Sequence, residues 1–191
     1  MRFEISTIST PIGNLVFAVH GEALYALGFE QPDLLARLVK RFDHPSFVER
    51  SDAGKIARAI AAYVEGESDA LDALAVEPGG TPFQRRVWDA LRAIPSGTTA
   101  SYQSIAIAVG SPGAVRAVGT ANGANPIAVV IPCHRVIRSD HTLGGYAGGL
   151  DRKRWLLAHE QKNVSAGTDT RSKPARRTAP SLPHKGQASL P

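Results

Sequence analysis

The run Ile127-Ala128-Val129-Val130-Ile131 is apolar, mostly β-branched, and stops at Pro132. A short run of this kind reads as a buried strand. Proline has no amide hydrogen, so it ends a hydrogen-bonded ladder where it stands. Cys133 follows, the only cysteine in the chain, and after it come His134, Arg135 and Val136. The sulfur is therefore expected at the mouth of a site, where a strand ends. A histidine and an arginine beside a thiol supply positive surroundings that lower its pKa and raise its thiolate fraction. That is a nucleophile's position. The competing reading is a structural cysteine, because a free thiol also behaves as a small buried hydrophobe.

One cysteine closes no internal disulfide, and no CxxC or HxxxH cluster has metal-ligand spacing. Neither a disulfide scaffold nor a structural zinc is expected, and a reducing cytoplasm fits. No run approaches the roughly 18 apolar residues of a bilayer span. The start, Met1 to Ser6, alternates like a strand and lacks the apolar core of a signal peptide. No membrane partner and no export are expected. A chain of 191 residues with 43% hydrophobic side chains is long enough to bury a core in one large or two small domains.

Charge is distributed unevenly. Residues 1–78 carry 7 Lys and Arg against 12 Asp and Glu, residues 79–162 carry 10 against 4, and residues 163–191 carry 5 against 1. The first part is a poor surface for a polyanion, whereas the middle part, which holds Cys133, has the sign of a phosphate-binding face.

Residues 2–8, 15–19 and 24–29 alternate or cluster apolar side chains between plausible turns, which predicts an antiparallel meander. Pro32 suits a first helical turn, with Leu34, Leu35, Leu38, Val39 and Phe42 at helical spacing. A second helix is expected over 53–65 and a short strand near 71–76. Glu77-Pro78-Gly79-Gly80 marks a boundary, after which Thr81 caps a helix whose apolar face holds Val87, Trp88, Leu91 and Ile94. Ser101 caps a short helix ending near Val109, and a further helix runs from Gly113 to Ala121. Two short helices joined by a glycine-containing turn form the pattern of a helix-turn-helix, which also occurs in proteins that never meet nucleic acid. The second of them is almost bare: Ala114, Ala117, Gly119, Thr120 and Ala121 surround a single charge, Arg116. A helix that reads bases in the major groove carries several long polar side chains. This one suits close approach of backbone to a duplex, or close packing on a neighbouring helix. Leu143 to Gly149 is a glycine-dense loop around Tyr146, and a last helix, capped by Asp151, is expected to end near Glu160. Residues 163–191 lack aromatics and hold four prolines, which predicts a disordered basic tail.

Taken together, Gly80-Thr81-Pro82-Phe83-Gln84, Val87-Trp88, Ile94-Pro95, Ser101-Tyr102, Arg116-Ala117-Val118-Gly119, Asn125-Pro126, Pro132-Cys133-His134-Arg135-Val136, Tyr146-Ala147-Gly148-Gly149 and Glu160 occur in an order and spacing that resembles the O6-alkylguanine-DNA alkyltransferases. The match covers about residues 79–161. The resemblance implies an α+β fold: a small antiparallel sheet with helices over 1–78, then a mostly helical, winged helix-turn-helix-like domain over 79–162. It implies a monomer that binds duplex DNA through the minor groove, flips out O6-alkylguanine, with O4-alkylthymine as a further candidate, and moves the alkyl group to its own cysteine without a cofactor. By that likeness Cys133 is the nucleophile, His134 the base acting through a bridging water, Glu160 the carboxylate that orients it, and Asn125 the brace of the active-site turn. Tyr102 would assist flipping and donate to the purine. The carbonyls of Cys133 and Val136 would read the exocyclic amine, and Tyr146 and the amide of Ala147 would wall the pocket. Arg116 would fill the vacated stack, with Ala117 and Gly119 against the DNA.

Some positions depart from the family pattern. Ala147 stands where some members have serine, which leaves the backbone donor intact. His141 stands where the wing turn often has glycine.

Overall fold

The computed structural model describes residues 1–29, 31–50 and 54–170. Strands β1 (Arg2–Thr10), β2 (Gly13–His20) and β3 (Ala23–Gly28) form the expected antiparallel meander. A fourth strand, β4 (Ser46–Glu49), was not foreseen: it pairs parallel to β1, so the sheet is mixed, in the order β3-β2-β1-β4. Four residues with two central apolar side chains are too few to show a period.

Alternation along the strands divides the core. Phe3, Ile5, Val16, Ala18 and Ala26 face helix α1 (Gln31–Arg41) and its Leu34 and Leu38. Leu15, Phe17, Leu24 and Leu27 turn to the other face, toward Ile56, Ile60 and Tyr63 of α2 (Gly54–Glu65). That second core continues without interruption into Val87, Trp88, Leu91, Val118, Ile131 and Leu156. Residues 71–73 are a turn and 74–75 are irregular, so the expected strand over 71–76 does not form. Leu71 and Leu74 are buried, but the Arg92 guanidinium binds the carbonyls of Asp72 and Leu74, at 2.9 and 3.1 Å, leaving Val76 a single bridge to Leu24.

Thr81 and Gln84 close a capping box on α3 (Pro82–Arg92), and Ser101 and Ser104 close one on α4 (Tyr102–Ala108). Helix α5 (Val115–Gly123) packs against both α3 and α4, and the Trp88 indole donates to the Ala121 carbonyl at 2.9 Å. Two-residue strands β5 (Ala100–Ser101) and β6 (Val136–Ile137) pair in parallel. After β6 the chain turns at His141, whose φ of 63° is the left-handed region that glycine fills most easily.

The apolar run that led the sequence reading is not a strand. Ile127 makes one bridge, to Leu27 of β3, and the chain then coils through turns, with the Val130 and Ile131 amides bonded to Ala128 and Ile127 carbonyls. Ile127, Val129, Val130 and Ile131 are buried and Ala128 is half-buried, a pattern that periodicity does not separate from a strand. Helix α6 (Leu150–Thr170) also departs from expectation: it continues ten residues past Glu160, into the start of the expected tail. Asp151 lies in its first turn, paired with Arg154 at 2.7 Å. Residues 171–191, the rest of that tail, lie outside the described residues. No helix among those described is long and apolar enough to cross a membrane.

Gly80 shows how closely the boundary turn fits α3. Its φ is 79°, and a Cβ there would lie 2.7 Å from the Trp88 ring. Gly80→Ala is therefore expected to lower unfolding free energy by about 2 kcal/mol or more, read by urea denaturation.

Candidate active site

The turn that carries the thiol is braced at both ends. The Asn125 side chain donates from Nδ2 to the Ile131 carbonyl at 2.8 Å, and its Oδ1 accepts from the Ile127 amide at 3.0 Å. Edge strand β3 holds it from outside, through Leu27 N–H to the Pro126 carbonyl and Ala128 N–H to the Leu27 carbonyl, both 2.9 Å. Within this clamp Val129 takes a φ of 70°, a costly conformation for a β-branched residue. The chain leaves the turn as a single 3-10 turn, Cys133–Arg135, with all three residues buried.

Glu160 of α6 is the hub beneath it, 1% exposed. Its Oε1 accepts from His134 Nε2 at 2.8 Å, Arg135 Nη2 at 3.0 Å and the Tyr63 hydroxyl at 2.8 Å. Its Oε2 accepts from Arg135 Nε at 3.0 Å and the Gly97 amide at 3.3 Å. Burial pushes this carboxyl up, but the hydrogen bonds and charges of His134 and Arg135 together hold it well below the usual carboxylate range. An ionised carboxylate only accepts, so His134 must carry its proton on Nε2, which leaves Nδ1 as the basic nitrogen. Burial lowers the His134 pKa, the Glu160 carboxylate raises it, and Arg135 and Lys153 lower it further. The imidazole is neutral at neutral pH.

The thiol does not behave as its sequence neighbours imply. Burial pushes Cys133 up, against the Asn125 side chain, the Lys153 charge and two backbone amides, its own and that of His134. Arg135 is two residues on in sequence, but its guanidinium is committed to Glu160 and the Ile94 carbonyl. Adjacency along the chain did not become adjacency in space, and desolvation prevails.

Around the sulfur, Tyr102 opens α4, and its ring lies close to both the loop at Gly144 and Gly119 of α5. Burial, then Cys133, raises the pKa of its hydroxyl. The hydroxyl of Tyr146 is buried, and its pKa is raised by that burial and by Cys133. Ala147 is exposed, and at Gly148 a Cβ would lie 2.7 Å from both Tyr146 and Phe29. The Val136 carbonyl accepts from Lys153 Nζ at 2.7 Å, and the Cys133 carbonyl from Asn122 Nδ2 at 3.4 Å. Arg116 and Ala117 lie on the exposed face of α5, whereas Val118, Ala121 and Asn122 face inward.

Sequence reasoning missed Tyr63 and Lys153. Tyr63 sits on the buried stripe of α2, where an aromatic reads as core. Lys153 did carry a signal: Lys153, Leu156 and Glu160 fall at helical spacing on one stripe of α6, and each is at most 1% exposed. Lys153 Nζ donates to the carbonyls of Val136, Leu143 and Gly145, and burial lowers its pKa to about 8. Among the described residues no cluster of His, Cys, Asp and Glu is placed to hold a metal ion.

The family model for the 6-O-methylguanine DNA methyltransferase DNA binding domain matches residues 82–162. The methylated-DNA–protein-cysteine methyltransferase of Salmonella typhimurium is 47% identical over 165 residues, covering 84% of this chain and 96% of that protein. The protein of the same description from Methanosarcina barkeri is 43% identical over 166 residues, covering 86% and 99%. Among solved structures, Mycobacterium tuberculosis OGT in complex with DNA aligns with a TM-score of 0.72 at 41% identity, over 84% of this chain and 94% of that one.

Removing the hub charge tests the electrostatics. Glu160→Gln is expected to cost about 3–5 kcal/mol at pH 7, because it leaves a buried guanidinium without its counter-charge. Since the folded-state pKa of Glu160 is depressed, the wild type holds this stability above the unfolded value of about 4.3 and loses it as pH falls further. The gap between wild type and variant should therefore narrow in acid, as read by urea denaturation from pH 7 to pH 3.

Proposed function

The chain belongs to the methylated-DNA–protein-cysteine methyltransferase family, and on that footing we propose that it repairs DNA by moving the alkyl group of O6-alkylguanine onto Cys133. One observation carries this reading: the only cysteine shares a 3-10 turn with a histidine whose Nε2 proton is held by a buried carboxylate. That arrangement gives a nucleophile with a base beside it in sequence and a third group fixing the base.

With the thiol pKa raised, the resting form is S–H. The proton passes to His134 Nδ1 through a bridging water as the thiolate forms, and the imidazolium is stabilised by Glu160. The sulfur then attacks the alkyl carbon: the S–C bond forms, the C–O6 bond breaks, and its electron pair stays on guanine. Guanine regains the proton that the thiol gave up and leaves as the neutral base. A thioether is not readily reversed, so each molecule reacts once. No cofactor enters this balance.

The base reaches the sulfur by leaving the duplex. The small side chains of α5 suit close approach along the minor groove, Arg116 fills the vacated stack, and Tyr102, at the start of α4, supports the turned-out nucleotide and donates to the purine. The Val136 carbonyl accepts from Lys153, and the Cys133 carbonyl accepts from both the Asn122 side chain and the Val136 amide. The exocyclic amine of guanine is met by the Val136 carbonyl, and by the Cys133 carbonyl in place of its long 3.4 Å bond from Asn122. The pocket wall is Tyr146 and the amide of Ala147.

Incubation with an O6-methylguanine duplex is expected to add one methyl group per molecule, on the peptide containing Cys133, by mass spectrometry. Cys133→Ala should bind the duplex and gain nothing; a folded wild type that binds without acquiring the methyl group refutes the reading. Arg116→Ala is expected to slow transfer from duplex about 10- to 100-fold, the scale of one lost stacking contact. Its effect on a single-stranded oligonucleotide should be much smaller, as followed in single-turnover assays.

A further inference from the structure

Resting on that function, we infer that Tyr63 is a positioning residue of the transfer reaction: a hydroxyl supplied by α2 that sets the basicity of His134 through their shared carboxylate oxygen. Tyr63 is 2% exposed and belongs to the acidic first 78 residues, which carry none of the recognised motifs. Its hydroxyl and His134 Nε2 both donate to Glu160 Oε1, each at 2.8 Å, and Arg135 Nη2 donates to the same oxygen at 3.0 Å. An ionised carboxylate has no proton to give, so the direction of the tyrosine bond is fixed. Burial, with Glu160 beside it, raises the tyrosine pKa far above its usual value, and the hydroxyl stays a donor throughout the working range.

Packing alone does not call for that hydroxyl, since phenylalanine would fill the same space. The rest of Tyr63 is anchored separately. His159 Nε2 donates to the Tyr63 carbonyl at 2.7 Å, the two rings meet edge to face at 5.4 Å, and His159 stacks on Trp155. Consecutive residues of α6 thus hold the tyrosine, His159 by its backbone and Glu160 by its hydroxyl.

A hydrogen bond donated to Oε1 withdraws charge from the oxygen that holds the imidazole proton. Without it, Oε1 stabilises the imidazolium more strongly and His134 becomes more basic. The other groups that face His134 are Arg135 from the same turn and Lys153 from α6, both cations, and they oppose protonation. The Gly97 amide shares the carboxylate from the loop before β5. Tyr63 therefore keeps His134 unprotonated, and able to take the thiol proton, to lower pH than Glu160 alone allows.

The test is the pH profile of Cys133 alkylation in the full chain, wild type against Tyr63→Phe, measured two ways: by an O6-methylguanine duplex in single turnover, and by iodoacetamide without DNA. The acid limb is expected to move up by about one pH unit in both, the scale of one hydrogen bond to a charged group. The plateau above it should change far less. Melting curves establish that the variant is folded, and Tyr63→Met, which also lacks a donor, takes its place if it is not. An unmoved midpoint in the iodoacetamide profile, with or without a uniform loss of rate, overturns the inference, because a purely structural tyrosine lowers the rate without shifting the titration. A wild type that reacts with iodoacetamide but takes no methyl group from DNA refutes the proposed function, while the iodoacetamide profile still tests Tyr63.

Discussion

A carboxylate with almost no solvent exposure is expensive to bury, and in this fold the expense is met by donors drawn from three separate segments. Glu160 accepts from Tyr63 on α2, from Gly97 before β5, and from His134 and Arg135 on the 3-10 turn. Removing an ion of this size from water costs several kcal/mol even after relaxation, and these donors together offset that cost. The bidentate guanidinium supplies the balancing charge, and the remaining bonds supply orientation. The event that closes the core is thus the event that selects the imidazole tautomer.

Around this hub the turn from Asn125 to Cys133 is held by one side-chain clamp and a single bridge to β3, not by a strand ladder. The Asn125 side chain spans it, β3 grips its outer edge, and Val129 is kept in a left-handed conformation that no isolated peptide would favour. The result is a sulfur that is buried, protonated at rest and adjacent to a base. Since the thiolate is the reactive species, such a thiol depends on the neighbouring proton acceptor for its reactivity. Lys153 serves the same neighbourhood from α6: one ammonium gathers the carbonyls of β6 and of the glycine-dense loop, so the two segments share one anchor.

The meander, the capped helices α3 and α4, and the bare helix α5 could all be read from local pattern, because alternation, capping boxes and proline positions act over a few residues. The exceptions have a common cause. Strand β4 is too short to show a period. The 71–76 segment is held by the Arg92 side chain, and the 127–131 run by Asn125 and β3, partners distant in sequence or invisible to hydropathy. Cys133, His134 and Glu160 stood out through chemistry and the family motif. Tyr63 did not, since an aromatic on a helix stripe carries no mark of where its hydroxyl will point.

By itself the amino-acid sequence determined which residues can do chemistry here: a lone cysteine followed by histidine, a glutamate 27 residues on, and a helix whose small side chains hold one arginine. Residue identity sets what a group is able to donate, accept or attack, and that survives any fold. The tertiary structure alone decided how those groups are tuned. Placing Arg135 on Glu160 instead of beside the sulfur leaves desolvation to govern the thiol, which raises a pKa that its sequence neighbours would lower. Bringing Tyr63 across from α2 gives the histidine's carboxylate a further donor. Hydrogen bonding and desolvation act at a few ångströms through space, and only packing sets which atoms come within that distance.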